Sequence, residues 1–258
     1  MPRFCANLDF LFTEHAFLDR FGAARAAGFE AVEILFPYDH DPQEIAARLD
    51  DEGLHLALIN TPAPDWAEGG RGSAALPGQT ARFRAEFAAA RDLAARLDAE
   101  HIHILAGIAQ GGAAQDSYLQ NLAWAADNAP DQPLTIEPIN PHDMPGYFLN
   151  AFDRAAEILK TLARPNLHLQ FDAYHAQRIA GDVPTLWADY AHLTAHVQVA
   201  GHPGRHEPAG GDIDYPAFFT ALDAGGYAGW VSGEYHPATR TEDGLGWCAL
   251  PQTAAPEG

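Results

Sequence analysis

The sequence is poor in basic residues. Only 15 Lys and Arg side chains stand against 35 Asp and Glu side chains, and the formal net charge is −20. Nucleic-acid binding depends on basic side chains that neutralise phosphates, so this balance argues against a nucleic-acid partner and disfavours an anionic membrane surface. The single lysine, Lys160, lies in a predicted helix away from the strand ends. That position argues against aldolase chemistry through a lysine Schiff base.

Cysteine and long apolar runs are also scarce. Cys5 and Cys248 are the two cysteines of the chain, which is too few for a disulfide framework, and no CxxC pair indicates zinc. The apolar run near the N-terminus is interrupted by Asn7 and Asp9, which is unlike a signal peptide. No uninterrupted apolar stretch approaches the roughly 20 residues of a membrane span. We therefore expect a cytoplasmic protein without a membrane partner.

Strand-like and helix-like segments alternate along the whole chain. The predicted strands are Phe4–Phe10, Ala31–Phe36, His55–Asn60, His101–Gly107, Leu134–Asn140, Leu167–His175, His196–Ala200 and Trp230–His236. The predicted helices are Ala16–Ala27, Pro42–Asp51, Ala81–Ala99, Asp116–Asn128, Ala151–Leu162, Val183–His192 and Tyr215–Ala224, with a short last helix at Thr241–Leu250. Eight such strands favour a single-domain α/β fold, a (β/α)8 TIM barrel over residues 1–250 with residues 251–258 as a C-terminal tail. A doubly wound open sheet is the main rival, but no GxGxxG follows the first strand.

Four polar residues stand at the ends of consecutive apolar runs. They are Glu137, Asp172, Gln198 and Glu234, on the predicted strands five to eight. A closed parallel barrel brings the carboxyl ends of all its strands to one face, where such enzymes place their chemistry. Three carboxylates and an amide oxygen are hard donors that suit a divalent cation such as Mg²⁺ or Mn²⁺. The sequence therefore predicts a metal site formed by these four residues.

Two carboxylates beside such a cation point to a reaction class. A divalent ion polarises a carbonyl and stabilises the enediolate that forms when the adjacent carbon loses its proton. Glu137 and Glu234, on strands five and eight, would face each other and act as the acid/base pair. The arrangement suits migration of a carbonyl to the neighbouring carbon, or epimerisation, in a small hydroxy-carbonyl compound. Zinc hydrolysis would use more histidine ligands.

One long connection, Thr61–Gln79, joins the third strand to the third helix on the predicted active-site face. It is rich in Gly, Pro and Ala and contains Trp66 and Arg71. Long loops of this kind are often lids or binding loops. A mobile lid and a solvent loop anchored by Trp66 are both consistent with the sequence.

Several segments resemble the hydroxypyruvate isomerase family, which also includes 2-oxotetronate isomerases. The resemblance rests on GFEAVEILFPYDHD, LTIEPIN, QFDAYHAQR, HVQVAGHPGRHEP, GDIDYPAFF and GWVSGEYHP, and extends over about residues 3–248. That family belongs to the xylose-isomerase-like barrels, together with sugar epimerases and apurinic-site endonucleases. By this resemblance Glu137, Asp172, Gln198 and Glu234 would be the metal ligands, and His175 and Arg205 would contact substrate.

The resemblance implies interconversion of hydroxypyruvate and 2-hydroxy-3-oxopropanoate, or the same reaction on 2-oxotetronate. Both substrates carry a carboxylate, for which Arg205 and Arg71 are the candidate contacts. His236 replaces the Lys or Arg expected in many relatives, so a carboxylate contact there would be weaker or pH-dependent. A ketose 3-epimerase, a metal-dependent phosphodiesterase and a sugar-acid binder without activity are the alternatives. The oligomeric state is open, including a homo-oligomer.

Overall fold

The structure, a computed structural model, describes residues 2–248 and contains a closed barrel of eight parallel strands in chain order. The strands are β1 Arg3–Asn7, β2 Ala31–Glu33, β3 His55–Asn60, β4 His101–His103, β5 Leu134–Ile136, β6 Leu167–Asp172, β7 Thr194–Val199 and β8 Trp230–Gly233. The ring closes because β8 pairs with β1 as well as with β7. The predicted (β/α)8 fold is confirmed. The predicted tail, residues 251–258, lies outside the described residues.

Helices follow the strands around the outside of the barrel. The α-helices are α1 Arg20–Ala26, α2 Pro42–Glu52, α3 Thr80–Leu97, α4 Gly112–Asn128, α5 Phe152–Leu162, α6 Ala173–Ala180, α7 Val183–Tyr190 and α8 Tyr215–Ala224. Short 3₁₀ helices are Phe17–Asp19, Pro37–Asp39, Trp66–Glu68, Ala191–Leu193 and Thr241–Trp247. The last of these occupies most of the predicted final helix, whose residues 249–250 lie outside the described part. In residues 2–248 no helix combines the length and apolar character needed to cross a bilayer.

The sixth strand ends earlier than its sequence indicates. The prediction of a strand over Leu167–His175 is wrong beyond Asp172. Residues 173–175 begin the helix α6, which the sequence pattern does not predict. The Asp172 carboxylate accepts hydrogen bonds from the backbone N–H groups of Tyr174 at 2.7 Å and His175 at 3.2 Å. Asp is a favoured helix N-cap because it satisfies these otherwise unpaired N–H groups. The same side chain therefore ends β6, begins α6 and lies at the predicted metal site.

Strands one, two, four, five and eight were also predicted too long at their carboxyl ends. The predicted strands at His101–Gly107 and Leu134–Asn140 stop at His103 and Ile136. Beyond these points the regular ladder ends, and the chain forms isolated bridges between Gly72 and Ala106 and between Ile108 and Tyr147. An apolar run that continues into a buried loop cannot be distinguished from a strand by pattern alone.

The interior of the barrel changes from apolar to polar along its axis. At the amino-terminal end Cys5, Ala31, Ala57 and Trp230 form a small buried apolar cluster. The layers above it contain buried polar side chains: Asn7, Glu33, His103, Thr135, Gln170, His196, Gln198 and Ser232. TIM barrels usually fill this space with branched apolar residues. A polar interior at the carboxyl end therefore indicates that this part of the barrel serves a site.

The Thr61–Gln79 connection is anchored to the barrel. Arg82 at the start of α3 holds both carboxylate oxygens of Asp65, at 2.7 and 3.0 Å. Gly72 pairs with Ala106, has φ +93°, and a Cβ there would lie 2.5 Å from the backbone oxygen of Leu105. Only glycine tolerates both conditions. The part between these anchors places Trp66, which is 38% exposed, at the mouth of the barrel.

Candidate active site and metal centre

The four predicted metal ligands all lie at the carboxyl end of the barrel. Asp172 and Gln198 are register partners on β6 and β7. Glu137 and Glu234 follow the last residues of β5 and β8. All four side chains are buried. The fold therefore brings together residues that are up to 97 positions apart in the sequence.

Three of these side chains, Glu137, Gln198 and Glu234, line a small cavity of about 180 Å³. Asp172 lies next to two of its lining residues, Glu137 and His175. The polar wall of the cavity is formed by His103, Glu137, Gln170, His175, Gln198, Arg205 and Glu234, together with Asn60 and Asp143. The apolar side chains that line it are Phe10, Leu35, Trp66, Leu105, Ile139 and Met144. Pockets for drug-sized ligands have about 300–1,000 Å³, so this cavity suits a compound of a few carbon atoms.

Three of the side chains converge closely enough to hold one ion. Glu137, Asp172 and His175 each offer a ligand atom, and these atoms lie within 4.8 Å of one another. Oδ2 of Asp172 is buried and has no hydrogen-bond partner. A buried carboxylate oxygen without a hydrogen bond is costly. The guanidinium of Arg205 lies 3.6 Å from this oxygen, beyond hydrogen-bond distance, so a bound cation could pair with it directly. The donor set therefore fits a divalent metal, with Gln198 and Glu234 on the other sides of the same cavity.

The two predicted acid/base residues have perturbed acidities. Burial raises the pKa of Glu137 well above its usual value, and the nearby carboxylates of Asp172 and Glu234 raise it further. Burial also raises the pKa of Glu234, an effect that Arg205 partly offsets. Like charges that cannot be solvated favour the protonated form or a bound cation. Such perturbed carboxyl groups in a cavity are typical of sites for proton transfer.

The ring of His175 is held in one orientation by Asn140. The side-chain oxygen of Asn140 accepts hydrogen bonds from three donors: the backbone N–H groups of His142 and Asp143 and Nε of Arg178. Its Nδ2 group therefore faces Nδ1 of His175 at 2.6 Å and donates to it. Burial lowers the pKa of His175 to about 4, so the ring is neutral at pH 7. The remaining proton is then on Nε2, which lies 3.7 Å from carboxylate oxygens of both Glu137 and Asp172.

That tautomer decides what His175 can do. A protonated Nε2 donates a hydrogen bond and has no lone pair for a metal. The geometry thus supports the predicted contact with a substrate oxygen better than a role as metal ligand, although the ring belongs to the converging group.

Arg205 carries positive charge into the cavity. Its guanidinium lies 2.6 Å from Oε1 of Glu234 and 3.6 Å from Oδ2 of Asp172. It packs over the rings of Phe10 and Tyr174, 5.4 and 5.1 Å from their centroids. Among the described residues that line the cavity, Arg205 is the only Arg or Lys. It is therefore placed to meet an anionic group of a substrate.

The other two predicted substrate contacts, Arg71 and His236, are not among the residues that line the cavity. The guanidinium of Arg71 lies 4.2 Å from the ring centroid of Trp66 and donates to the backbone oxygens of Trp66 and Gly70. The exposed ring of His236 packs against Phe10 at 4.8 Å. Each reaches the cavity through an aromatic neighbour, and their contact with substrate remains a prediction.

The sequence did not single out Gln170 as a polar residue of the site. Gln170 donates from Nε2 to Oε1 of Gln198 at 2.7 Å and to Oε2 of Glu137 at 3.2 Å. His103 lies 3.7 Å from the same Glu137 oxygen. Gln170 precedes Asp172 by two positions on β6, and this period of two places both on one face. That spacing was the available signal for Gln170.

Comparison with known proteins identifies the family. Residues 21–249 match the model of the family described as "Xylose isomerase-like TIM barrel". The chain belongs to this xylose isomerase-like family. Among its relatives, the 2-oxo-tetronate isomerase of Cupriavidus necator is 49% identical over 254 residues, which cover 96% of this chain and 97% of that protein. The hydroxypyruvate isomerase of Escherichia coli is 40% identical, with coverage of 96% and 98%.

Solved structures agree with this family. A crystal structure described as "AP endonuclease, family 2 from Brucella melitensis" has a TM-score of 0.94, with 42% identity and coverage of 96% of this chain and 98% of that one. An L-ribulose 3-epimerase has a TM-score of 0.75 at 24% identity and shows only the shared fold. With two full-length relatives named as isomerases at 40% identity or more, this member of the xylose isomerase-like family is an isomerase.

Proposed function

We propose that the protein is a divalent-metal-dependent isomerase that moves a carbonyl between C2 and C3 of a small 2-oxo acid. The observation that carries the proposal is the pair of buried carboxylates, Glu137 and Glu234, in one small cavity with Gln198 and next to Asp172. Both carboxyl groups have raised pKa values, which suits groups that exchange a proton at neutral pH.

The reaction needs two proton movements. One glutamate removes the proton from C3, which carries the hydroxyl group, and returns it to C2. The other moves the hydroxyl proton from the C3 oxygen to the C2 oxygen, so that C3 becomes the carbonyl and atoms balance. A divalent cation held by Glu137, Asp172, Gln198 and Glu234 would supply polarisation of the carbonyl and stabilisation of negative charge on the two oxygens. Mg²⁺ and Mn²⁺ are the candidates because all four donors are oxygen atoms.

The remaining polar groups position the substrate. Nε2–H of His175 can donate to one of the reacting oxygens, and Arg205 can pair with the substrate carboxylate, for which a charge-assisted contact is expected. Trp66, Phe10 and the other apolar side chains that line the cavity would limit the access of water to the reacting atoms.

The substrate we propose first is 2-oxo-tetronate, and hydroxypyruvate is the second candidate. The two acids undergo the same reaction and differ only in the group on C3, a hydroxymethyl group or a hydrogen atom. The 49% identity to the Cupriavidus necator protein favours the four-carbon acid, and the 40% identity to the Escherichia coli protein keeps the three-carbon acid in view. The resemblance of the sequence motifs taken alone favours hydroxypyruvate as the substrate, with 2-oxo-tetronate as the alternative.

A phosphodiesterase acting on nucleic acid fits the site less well, in spite of the description of the Brucella melitensis structure. The net charge of −20 opposes a polyanion. Arg205 is the only Arg or Lys among the described residues that line the cavity, and it already contacts Glu234. Measuring zinc per chain separates the alternatives, because a multinuclear zinc site would favour the hydrolase.

The test is a comparison of kcat/KM for 2-oxo-tetronate, hydroxypyruvate and a ketose sugar with the Mn²⁺-loaded and the Mg²⁺-loaded protein. We expect turnover of at least one 2-oxo acid and loss of turnover after chelation. Activity on the ketose alone would favour an epimerase, and binding without turnover of any of the three would contradict the proposal.

A further inference from the structure

A fully buried carboxylate, Glu33, lies beneath the candidate metal site and is not part of it. Glu33 ends β2, and its side chain has no exposed surface. Oε1 accepts hydrogen bonds from Nδ2 of Asn7 at 2.7 Å and Nε2 of Gln198 at 2.6 Å. Oε2 lies 2.6 Å from Nε2 of His196. The hydrogen-bond partners of this carboxylate are therefore all nitrogen atoms, and these hydrogen bonds replace the hydration that the buried charge has lost.

The contact with Glu33 determines how the amide of Gln198 is turned. An amide has one end that accepts and one that donates, whereas a carboxylate only accepts. With Nε2 directed to Glu33, Oε1 is on the opposite side of the group, facing Gln170. If the amide turned by half a rotation, its oxygen would lie against the carboxylate oxygen and a hydrogen bond would be replaced by repulsion.

A second contact orients the same amide from its other end. Oγ1 of Thr135 donates to Oε1 of Gln170 at 3.0 Å, so Nε2 of Gln170 is directed to the site. That nitrogen donates to Oε1 of Gln198 and to Oε2 of Glu137. Each group therefore donates a hydrogen bond to the next, from Thr135 through the amides of Gln170 and Gln198 to the carboxylate of Glu33. This series of hydrogen bonds between buried side chains fixes the orientation of both amides.

We propose that Glu33 is a positioning residue that makes Gln198 offer oxygen, and not nitrogen, to the divalent cation. A cation is attracted by an amide oxygen and repelled by an N–H group, so the orientation decides whether Gln198 can be a ligand at all. Partners that orient metal ligands typically change metal affinity by about 10–100-fold. The inference rests on the proposed function, since it takes the metal to be held by Glu137, Asp172, Gln198 and Glu234.

The test is Mn²⁺ binding without substrate, followed through the electron paramagnetic resonance signal of free Mn²⁺. In Glu33→Gln the new amide can either accept or donate, so Gln198 loses the contact that requires its N–H group on the Glu33 side and keeps only the weaker constraint of the hydrogen bond from Gln170. We expect Kd for Mn²⁺ to rise by about tenfold or more. The exchanged pair Glu33→Gln with Gln198→Glu removes the orientation problem, because a carboxylate at position 198 presents oxygen on both sides and accepts from the amide at position 33. We expect this double variant to recover at least the Mn²⁺ affinity of the unchanged protein.

The matched control is Glu86→Gln, which makes the same change at another buried carboxylate. Glu86 lies in α3 and pairs with Ser73 and with Arg82 at 2.7 Å. The loss of the Glu86 charge should leave the Kd for Mn²⁺ unchanged. Circular dichroism checks the fold of each variant. If Glu33→Gln does not fold, Glu33→Asp retains the charge and withdraws it from Gln198, and the same weakening is expected.

The outcomes separate this inference from the proposed function. Unaltered Mn²⁺ affinity in Glu33→Gln, or a double variant as weak as the single one, overturns the role of Glu33 while the isomerase proposal stands. Failure of the unchanged protein to bind Mn²⁺ overturns the metal site and this inference together. Wild-type binding, a weakened single variant and a recovered double variant support both.

Discussion

Nδ2 of Asn140 donates to Nδ1 of His175 across 2.6 Å, and this contact selects the tautomer that presents Nε2–H to the cavity. Asn140 follows β5 and His175 lies in the first turn of α6, so the contact joins the ends of two neighbouring strands. Histidine is a common metal ligand, and the proton on Nε2 is what directs this one to donate instead. The site thus separates oxygen ligands for the cation from a nitrogen donor for the substrate.

Replacing Asn140 with Asp should reverse this tautomer. The aspartate can keep the two backbone N–H donors and the Arg178 donor on one oxygen, while the other oxygen accepts a hydrogen bond from a protonated Nδ1 of His175. Nε2 then loses its hydrogen or the ring becomes charged. We expect kcat to fall by about 10²-fold, the usual effect of losing one positioned donor, with Mn²⁺ still bound. Nitrogen chemical shifts of His175 report the tautomer, and unchanged shifts together with unchanged kcat would contradict this assignment.

Replacing Glu137 with Gln should abolish activity and stabilise the metal-free protein. Burial and the carboxylates of Asp172 and Glu234 raise the pKa of Glu137, so native Glu137 binds its proton more tightly than in the unfolded chain. Above its unfolded pKa the buried charge is therefore a cost, which a neutral amide removes. We expect the free energy of unfolding at pH 7 to rise, because the native state no longer contains a buried carboxyl group that resists ionisation. Thermal unfolding after chelation measures this, and a lower Tm would contradict it.

His175 should make stability depend on pH in acid. Its native pKa of about 4 lies below the ordinary value of 6.5, mainly because of burial. Between these values the unfolded chain binds more protons than the native protein, so stability rises with pH and is lost as the pH falls from 6.5 to 4. The metal-free protein should lose up to about 1.4 kcal/mol per pH unit relative to His175→Asn in this window. Urea unfolding at a series of pH values tests this, and parallel curves for the two proteins would refute it.

Arg205 and Arg71 should differ in their effect on substrate affinity. Arg205 lines the cavity, whereas Arg71 is separated from it by Trp66. Arg205→Leu should raise KM by about tenfold or more, because a hydrogen bond to a charged group contributes about 1.5–3 kcal/mol. Arg71→Leu is the matched control and should change KM less. A larger effect of Arg71→Leu would place the substrate carboxylate beneath the Thr61–Gln79 connection.

The barrel and the four strand-end residues could be predicted because both depend on local patterns. Glu137, Asp172, Gln198 and Glu234 each follow a short apolar run, and parallel closure then brings them together. The end of β6 was missed because Leu169 and Phe171 continue a strand-like pattern through Asp172, whereas the N-cap role of Asp172 depends on its own side chain. The contact between Glu33 and Gln198 joins residues 165 positions apart. No local spacing predicts such a contact, since it depends on the diameter of the closed barrel.

The most direct test of the proposed isomerisation is proton exchange in deuterated water. The Mn²⁺-loaded protein is incubated with 2-oxo-tetronate or hydroxypyruvate, and product and deuterium incorporation are followed by NMR after removal of the metal. The proposed chemistry predicts conversion of at least one acid with exchange at C2 or C3, and loss of both signals in folded Glu137→Gln and Glu234→Gln. Absence of conversion and exchange with both acids, or substantial turnover in both variants, would contradict it.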